Sequence, residues 1–236
     1  MAEKRWADNL PSYDWVADLK KRHPNLTSRK PEILTLARAK SFTRDVVDLF
    51  FQTYEEEVKD VLPTHLYNLD ETGLSTNPLN RKVFVAKNEK SAYLQTPTGS
   101  KTMYSVLFCA SAAGEYLPPF VIYKAKGAPW NTWMKNGPKD AVYGTTESGW
   151  MEDKTFEAWF RDSFLPIIRQ KHNGEKVIVT FDGHGSHLTF TTAQMAKDEN
   201  ITLICLPPHS SHALQPLDVG VFGLLKRKWS NILKTW

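Results

Sequence analysis

Three aspartates stand where the chain changes character: Asp70 in YNLDETG, Asp182 in VIVTFDGHGSH and Asp218 in QPLDVGVFGLLK. Asp182 follows Val177, Ile178, Val179, Thr180 and Phe181, a β-branched run that reads as a buried strand. Gly183 and Gly185 stop that strand and allow a tight turn. Asp70 closes a short strand at 66–69 and precedes Gly73. Asp218 follows Pro216 at the start of the last helix, where the helix dipole favours an anion. Open α/β sheets bind ligands beyond the carboxyl ends of their strands. Carboxylates gathered on such a rim repel one another unless a cation lies between them. Hard oxygen donors with open positions suit Mg²⁺ or Mn²⁺. Two such ions activate a water and stabilise a leaving oxygen in phosphodiester cleavage. Asp182 read by its own segment alone is equally a turn-forming aspartate.

Other groups compete for a role. His184 and His187 are three apart, and so are His209 and His212. Two such pairs could ligate zinc, but the spacing fits no standard finger and all-histidine structural sites are uncommon. His184, His187 and His212 are read as secondary candidates that orient carboxylates or contact phosphate. His209 serves equally well as a loop residue bonded to backbone. Glu71 follows Asp70 directly and would face the other way on a strand; Glu71 and Glu115 are treated as secondary. Lys226, Arg227 and Lys228 form a basic cluster on the last helix, a solvated face, a phosphate contact or a nuclear address.

The elements that must hold these residues follow in order. The chain has 236 residues, room for one large domain with an appendage, and its 41% hydrophobic and 12% aromatic content supports a packed core. A net charge of +4 permits a nucleic-acid partner without demanding one. Cys109 and Cys205 lie in apolar runs and form no CxxC pair, as suits buried thiols in a reducing compartment. No apolar run approaches a membrane span or a signal core. Residues 1–45 read as a basic helical arm: Trp15 and Leu19 share a face, Lys20, Lys21 and Arg22 follow, and His23-Pro24 ends the helix. Arg29 and Lys30 precede Pro31, which opens a second helix over 32–39. An amphipathic helix at 43–60, with Val46, Val47, Phe50, Phe51 and Tyr54 on its apolar face, links the arm to the main domain.

The main domain begins near Thr64, and strands are predicted at 66–69, 82–86 and 103–112. A hairpin partner returns over 117–123, where Pro118 and Pro119 imply an edge or a bulge. Residues 124–150, with Trp130, Trp133 and Trp150, read as a long surface insertion. Asp153 is the expected N-cap of a helix with Phe156, Trp159, Phe160 and Phe164 on one face and a kink at Pro166. The Asp182 strand, a helix over 188–200, a strand over 201–206 and the final helix complete the chain.

The segments YNLDETG, TFDGHGSH and LPPHSSHALQPLDVGVFGLLK together resemble the three catalytic motifs of the pogo/Tigger/jerky group of transposases. Thirty-five residues lie between Asp182 and Asp218, a separation at home in that DDE/D superfamily, and the third acid is Asp as in the pogo branch. WVADLKKRHPNLTSRKPEILTLARA is similar to the end of a CENP-B-type helix-turn-helix. The resemblance implies an α/β fold, a ribonuclease H-like mixed sheet flanked by helices, with an N-terminal helical arm. It implies a partial DNA-binding arm at 1–45, a linker helix at 46–63 and a DDE-type (DDD) endonuclease domain at 64–236, expected to be truncated at its C-terminus.

The implied activity is divalent-metal-dependent DNA cleavage and strand transfer. Asp70, Asp182 and Asp218 would act as catalytic and metal-holding residues around a two-metal site of Mg²⁺ or Mn²⁺. Double-stranded DNA is the implied partner, a homo-oligomer on DNA the implied assembly and the nucleus the implied location. A non-catalytic, domesticated DNA-binding protein of the same family and an RNA-cleaving nuclease of the same fold are the rival readings.

The arm yields a first test. Lys20, Lys21, Arg22, Arg29 and Lys30 are expected to contact phosphates, so DNA binding by residues 1–60 should weaken as salt rises, through counterion release. A titration that finds no binding even at low salt would show the arm to be inert toward DNA.

Overall fold

A computed structural model describes residues 12–27, 43–76, 103–183 and 188–235. The predicted helix at 32–39, the strand at 82–86, and Arg29, Lys30, His184 and His187 lie outside the described residues. The chain divides into two units, Met1–Ala37 and Arg38–Trp236.

In the first unit, helix α1 (Tyr13–Arg22) is capped by the Ser12 side chain, which accepts from the Trp15 amide at 3.2 Å. It buries no residue, and Lys20, Lys21 and Arg22 stand exposed in its last turn. One of these cations is already engaged: Lys21 Nζ lies 3.4 Å from Asp18 Oδ1.

The second unit opens with helix α2 (Arg44–Val58), in which no residue is fully buried. Val47, Phe50 and Tyr54 form its half-buried stripe, while Val46 and Phe51 of the predicted apolar face are exposed. Its C-terminal end is tied to the rest of the unit by Glu57, whose carboxylate lies 2.7 Å from Lys176 Nζ.

Among the described residues, six strands form one mixed sheet in the order β4-β3-β2-β1-β5-β6. Strand β1 (Leu66–Ser75) runs parallel to β5 (Val177–Phe181), which runs parallel to β6 (Ile201–Cys205). On its other side β1 pairs antiparallel with β2 (Met103–Ser111) from Tyr67–Ser111 through to Ser75–Met103. The first strand is therefore longer than its sequence suggested. Asp70 is not its last residue: the long antiparallel partner keeps the backbone extended for five more residues. What does end near Asp70 is the parallel ladder to β5, whose last aligned pair is Asn68 with Thr180.

The β2–β3 connection turns at Gly114, which has φ +86° and so supplies the left-handed geometry that L residues disfavour. Pro118 and Pro119 fall between the Ala110–Tyr116 bridge and strand β3 (Phe120–Lys124). They interrupt the strand, but they do not mark an edge, because β4 (Val142–Thr146) lies beyond β3 and parallel to it. The region 124–150 is thus more than a surface insertion. It carries the short helix α3 (Asn131–Met134) and then supplies the edge strand. Its Trp133 packs on Tyr123, ring centroids 4.9 Å apart.

One long helix is built from α4 (Asp153–Trp159), a wide π turn (Phe160–Phe164) and α5 (Leu165–His172). Its N-cap is Glu152, one residue before the predicted Asp153. In the π turn the Leu165 amide reaches back to Phe160 O. Proline inside a helix lacks an N–H and clashes with the carbonyl four residues earlier. A widened turn just before Pro166 accommodates it without a break. Phe156, Trp159, Phe160 and Phe164 are buried against Tyr67, Leu69, Val177, Val179 and Phe181. All five residues of β5 are buried, as a central parallel strand covered on both faces requires. Truncating Phe164, fully enclosed, to Ala is expected to cost about 3–5 kcal/mol.

Helix α6 (Phe190–Asp198), capped by Thr189, joins β5 to β6. After β6 come a short helix α7 (Ser211–Leu214), a second π turn (Asp218–Phe222) and the last helix α8 (Gly223–Thr235). Trp229 of α8 donates to Ser75 O at 2.6 Å, fastening this helix to the far end of β1.

At the opposite end of the sheet, the His65 and His172 rings lie 4.0 Å apart. Tyr67 Oη is 2.9 Å from His172 Nε2. Burial, then His65 and Lys171, hold His172 below its ordinary value of 6.5 against weaker opposing effects of Glu175 and Glu115. A depressed histidine stabilises the fold fully above pH 6.5, and that stabilisation is lost as pH falls, because the unfolded chain takes up the proton first. On acidification through this range, the melting temperature of His172→Gln should therefore rise relative to that of the parent, whatever the carboxylates contribute to both. Equal pH profiles for the two proteins would refute the role of His172.

Candidate active site

The site is built on the aligned ends of two neighbouring strands. Continuing the Asn68–Thr180 register by two residues sets Asp70 of β1 beside Asp182, the first residue beyond β5. Side chains alternate along a strand, so each aspartate shares its strand face with the residue two before it. Asp70 and Asp182 are both buried, whereas Asp218, first residue of the second π turn, is exposed. π turns occur often at functional positions.

The three acids feel one another. Burial is the largest cause raising Asp70, to about 7, and Asp218 and Asp182 add to it; the Glu71 amide and the Gln215 side chain oppose it. Asp218 is raised by its surroundings and by Asp182, against the pull of Lys226. Burial raises Glu71 to about 8, with Asp70 and Asp182 adding to it. One oxygen of Asp70 accepts from the Glu71 amide at 2.8 Å. The other is buried and has no hydrogen-bond partner. A buried, unsatisfied carboxylate oxygen is costly and marks a place where a cation would fit. Among the described residues, no three Asp, Glu, His or Cys side chains converge closely enough to hold one ion. The acids are thus electrostatically coupled and aligned, but not drawn together around a common point.

Of the secondary candidates, His212 lines a cavity of about 390 Å³ together with His209, Ser211 and Asp218. His209 adopts a left-handed backbone with φ +62°, unusual for a residue other than glycine. Glu115 lies at the other end of the sheet, bonded to Lys171. Lys226 is the member of the basic cluster on α8 that acts on Asp218.

Behind the acids lies a buried amide cluster that the sequence reading passed over. Asn68 Nδ2 donates to Gln215 Oε1 at 2.8 Å, Thr180 O at 3.0 Å and Thr180 Oγ1 at 3.2 Å. Gln215 Nε2 donates to Leu69 O at 2.9 Å. Asn68 Oδ1 accepts from the Leu217 amide at 3.2 Å, and Thr180 Oγ1 donates to Tyr67 O at 3.0 Å. Gln215 is completely buried. The signal was present: a polar residue interrupts each apolar run just ahead of its aspartate, in NLD, TFD and QPLD.

Comparison with known proteins agrees with this architecture. Residues 101–236 match the family described as DDE superfamily endonuclease. The human "Pogo transposable element with ZNF domain" is 26% identical over 230 residues, covering 92% of this chain and 15% of that protein. The mouse "Pogo transposable element with KRAB domain" is 23% identical over 180 residues, covering 72% and 28%. The "MFS-type transporter clz9" of Cochliobolus lunatus is 28% identical over 171 residues, covering 72% and 18%. The chain thus spans less than a third of the length of each of these relatives. Among the described residues no helix is long and apolar enough to cross a membrane.

Among solved structures, a pre-cleavage Mos1 transpososome superposes with TM-score 0.60 at 12% identity, covering 92% of this chain and 58% of that one. A Mos1 mariner paired-end complex with Mn gives 0.59 at 12%, covering 92% and 57%. These likenesses establish the fold, the ribonuclease H-like mixed sheet of the Mos1 transposase. With the family matched over more than half of its length, and with similarity to pogo transposable element proteins, the chain belongs to the DDE superfamily of endonucleases.

Proposed function

We propose that this chain is the catalytic part of a transposase-derived DNA endonuclease, with Asp70, Asp182 and Asp218 as its metal-holding acids. The observation that carries the reading is the register of β1 on β5, which sets Asp70 beside the end of β5 where Asp182 follows, with Asp218 electrostatically coupled to both. The unsatisfied buried oxygen of Asp70 and the mutual repulsion of the acids suit a hard divalent cation, Mg²⁺ or Mn²⁺. Such ions, when bound, would activate a water and neutralise the leaving oxygen of a phosphodiester.

The chain's own residues do the rest. Asp70 and Asp182 form a rigid base because Asp70 lies within the paired strand β1 and Asp182 directly follows β5. Asp218 approaches from a helix start, so its carboxylate can close on the site as charge is neutralised. Lys226 adds a cation beside Asp218 that would favour a backbone phosphate. His212, which lines the same cavity as Asp218, would contact the same strand of DNA. Lys20, Lys21 and Arg22 on α1, with Arg29 and Lys30, would hold flanking double-stranded DNA. The arm at 1–45, the linker helix at 46–63 and the catalytic domain at 64–236 then divide the work of binding and cleavage. A homo-oligomer assembled on DNA ends, acting in the nucleus, completes this reading; the Mos1 mariner protein has been solved as a paired end complex.

Asp182→Asn separates the catalytic role from a merely structural one. It should abolish Mg²⁺-dependent nicking of duplex DNA. In chelator it should melt at or slightly above the parent, since a negative charge is gone, while losing most of the stabilisation by Mn²⁺, which binds only the folded form. A structural Asp182 would instead lose about 1 kcal/mol in both conditions, the worth of one local hydrogen bond. Equal destabilisation with and without Mn²⁺, or nicking at the parent's rate, would retire the catalytic reading.

A further inference from the structure

We propose that Asn68, Thr180 and Gln215 form a positioning triad that fixes the three catalytic aspartates relative to one another. The inference rests on the assignment of Asp70, Asp182 and Asp218 made above. Each member sits just ahead of one acid: Asn68 two residues before Asp70, Thr180 two before Asp182, Gln215 three before Asp218. For the two strand pairs the spacing places both members on one face. Two residues is the repeat of a strand. Gln215 itself is extended, with φ −80° and ψ 108°, and sits where the last helical segment begins; its carbonyl accepts from the Val219 amide at 3.0 Å, which keeps it beside the turn that carries Asp218.

The hydrogen bonds cross between the acid-bearing segments. Asn68 side-chain atoms reach β5 through Thr180 and the start of the last helix through Gln215 and the Leu217 amide. Gln215 returns to β1 through Leu69 O, the carbonyl just beyond the last aligned β1–β5 pair. Thr180 returns to β1 through Tyr67 O. The cluster thus continues the β1–β5 ladder with side chains and docks the Asp218 segment onto its end.

Packing alone does not call for this arrangement. Apolar side chains of the same volume would fill the space without the desolvation cost of burying two amides. Amides provide direction instead. Each bond fixes an angle as well as a distance, and the bonds fail if β1, β5 or the last helix shifts. Losing a group that orients metal-holding residues typically costs about 10–100-fold in metal affinity or activity.

The test uses the whole chain, Mn²⁺ alone as the probe, and three readouts: Mn²⁺ affinity by calorimetry, Mn²⁺-dependent nicking, and melting in chelator. Gln215→Met keeps the length and removes both hydrogen bonds. Ile168→Ala, in the buried face of α5, serves as a control that destabilises away from the acids. Gln215→Met should bind Mn²⁺ about 10–100-fold more weakly and nick more slowly by a similar factor, while Ile168→Ala, melting as low or lower, stays within about two-fold of the parent.

Thr180 supplies a second pair in case Gln215→Met does not fold. Thr180→Val keeps the shape without the hydroxyl, and Thr180→Ser keeps the hydroxyl with less packing. Mn²⁺ affinity and nicking should follow the hydroxyl, with Ser near the parent and Val well below it, even though Ser is the less stable. Variants that match the parent in Mn²⁺ affinity, or whose losses follow melting temperature alone, would overturn the triad. A parent that neither binds Mn²⁺ nor nicks, or an Asp182→Asn chain indistinguishable from it, would overturn the catalytic assignment and the triad with it. That failure shows in different proteins from those that test the triad alone.

Discussion

The buried amide of Gln215 is the constraint on which the candidate site depends. It is completely enclosed, so neither its N–H nor its carbonyl oxygen can fall back on water. Its partners, Asn68 Nδ2 and Leu69 O, both belong to β1, while Gln215 itself belongs to the segment leading into the last helix. A net hydrogen bond inside a protein stabilises by only about 1 kcal/mol, but leaving a buried partner unsatisfied costs about 1–3 kcal/mol. The asymmetry makes the junction selective. It adds little stability when made, and it penalises every arrangement in which the helix start docks elsewhere. Register benefits in the same way. A one-residue slip of β1 against β5 would turn Asn68 away from Thr180 and strand the amide.

Against this well-satisfied layer stands one that is not. Asp70 has an enclosed oxygen with no partner, and burial together with Asp218 and Asp182 raises it to about 7. An acid raised in the folded state favours folding less once it ionises. The native chain therefore loses stability as pH rises from the ordinary carboxylate range through about 7, and Glu71, raised to about 8, extends that window upward. The apolar layer of Phe156, Phe160, Phe164, Val177 and Phe181 supplies the stability that tolerates this tension. Proteins commonly carry such local conflict at functional sites and offset it elsewhere.

The sequence made some of this legible and hid the rest for physical reasons. The β-branched run at Val177 to Phe181 announces a central strand because burial on both faces leaves no polar alternation. The spacing of Phe156, Trp159, Phe160 and Phe164 announces a helix face, which is a local property. The extension of β1 to Ser75 was not visible, because it depends on a partner some thirty residues away in β2. Strand β4 was hidden in a glycine- and tryptophan-bearing stretch for the same reason: its pairing with β3 is non-local and its burial slight. The two π turns escaped as well. One answers to Pro166, which on sequence reads only as a kink, and the other begins at Asp218, where a plain helix start was expected.

The buried polar residues were the subtler omission, and their positions explain why they belong with the acids. In a strand the residue two before an aspartate lies on the same face, one step deeper into the sheet. A polar residue there cannot reach solvent past the aspartate, and it must find its partners sideways, on the neighbouring strand or on the element that covers the strand ends. For Asn68 and Thr180 the neighbouring strand is each other's, and the covering element is the segment that carries Asp218. The same geometry that aligns Asp70 with Asp182 therefore obliges the residues beneath them to pair. Asp70 over Asn68 and Asp182 over Thr180 are two successive layers of one sheet face, and the segment of Gln215 and Asp218 covers their end. A sequence that places Asn, Thr and Gln just ahead of three acids specifies where the acids stand as well as which residues they are.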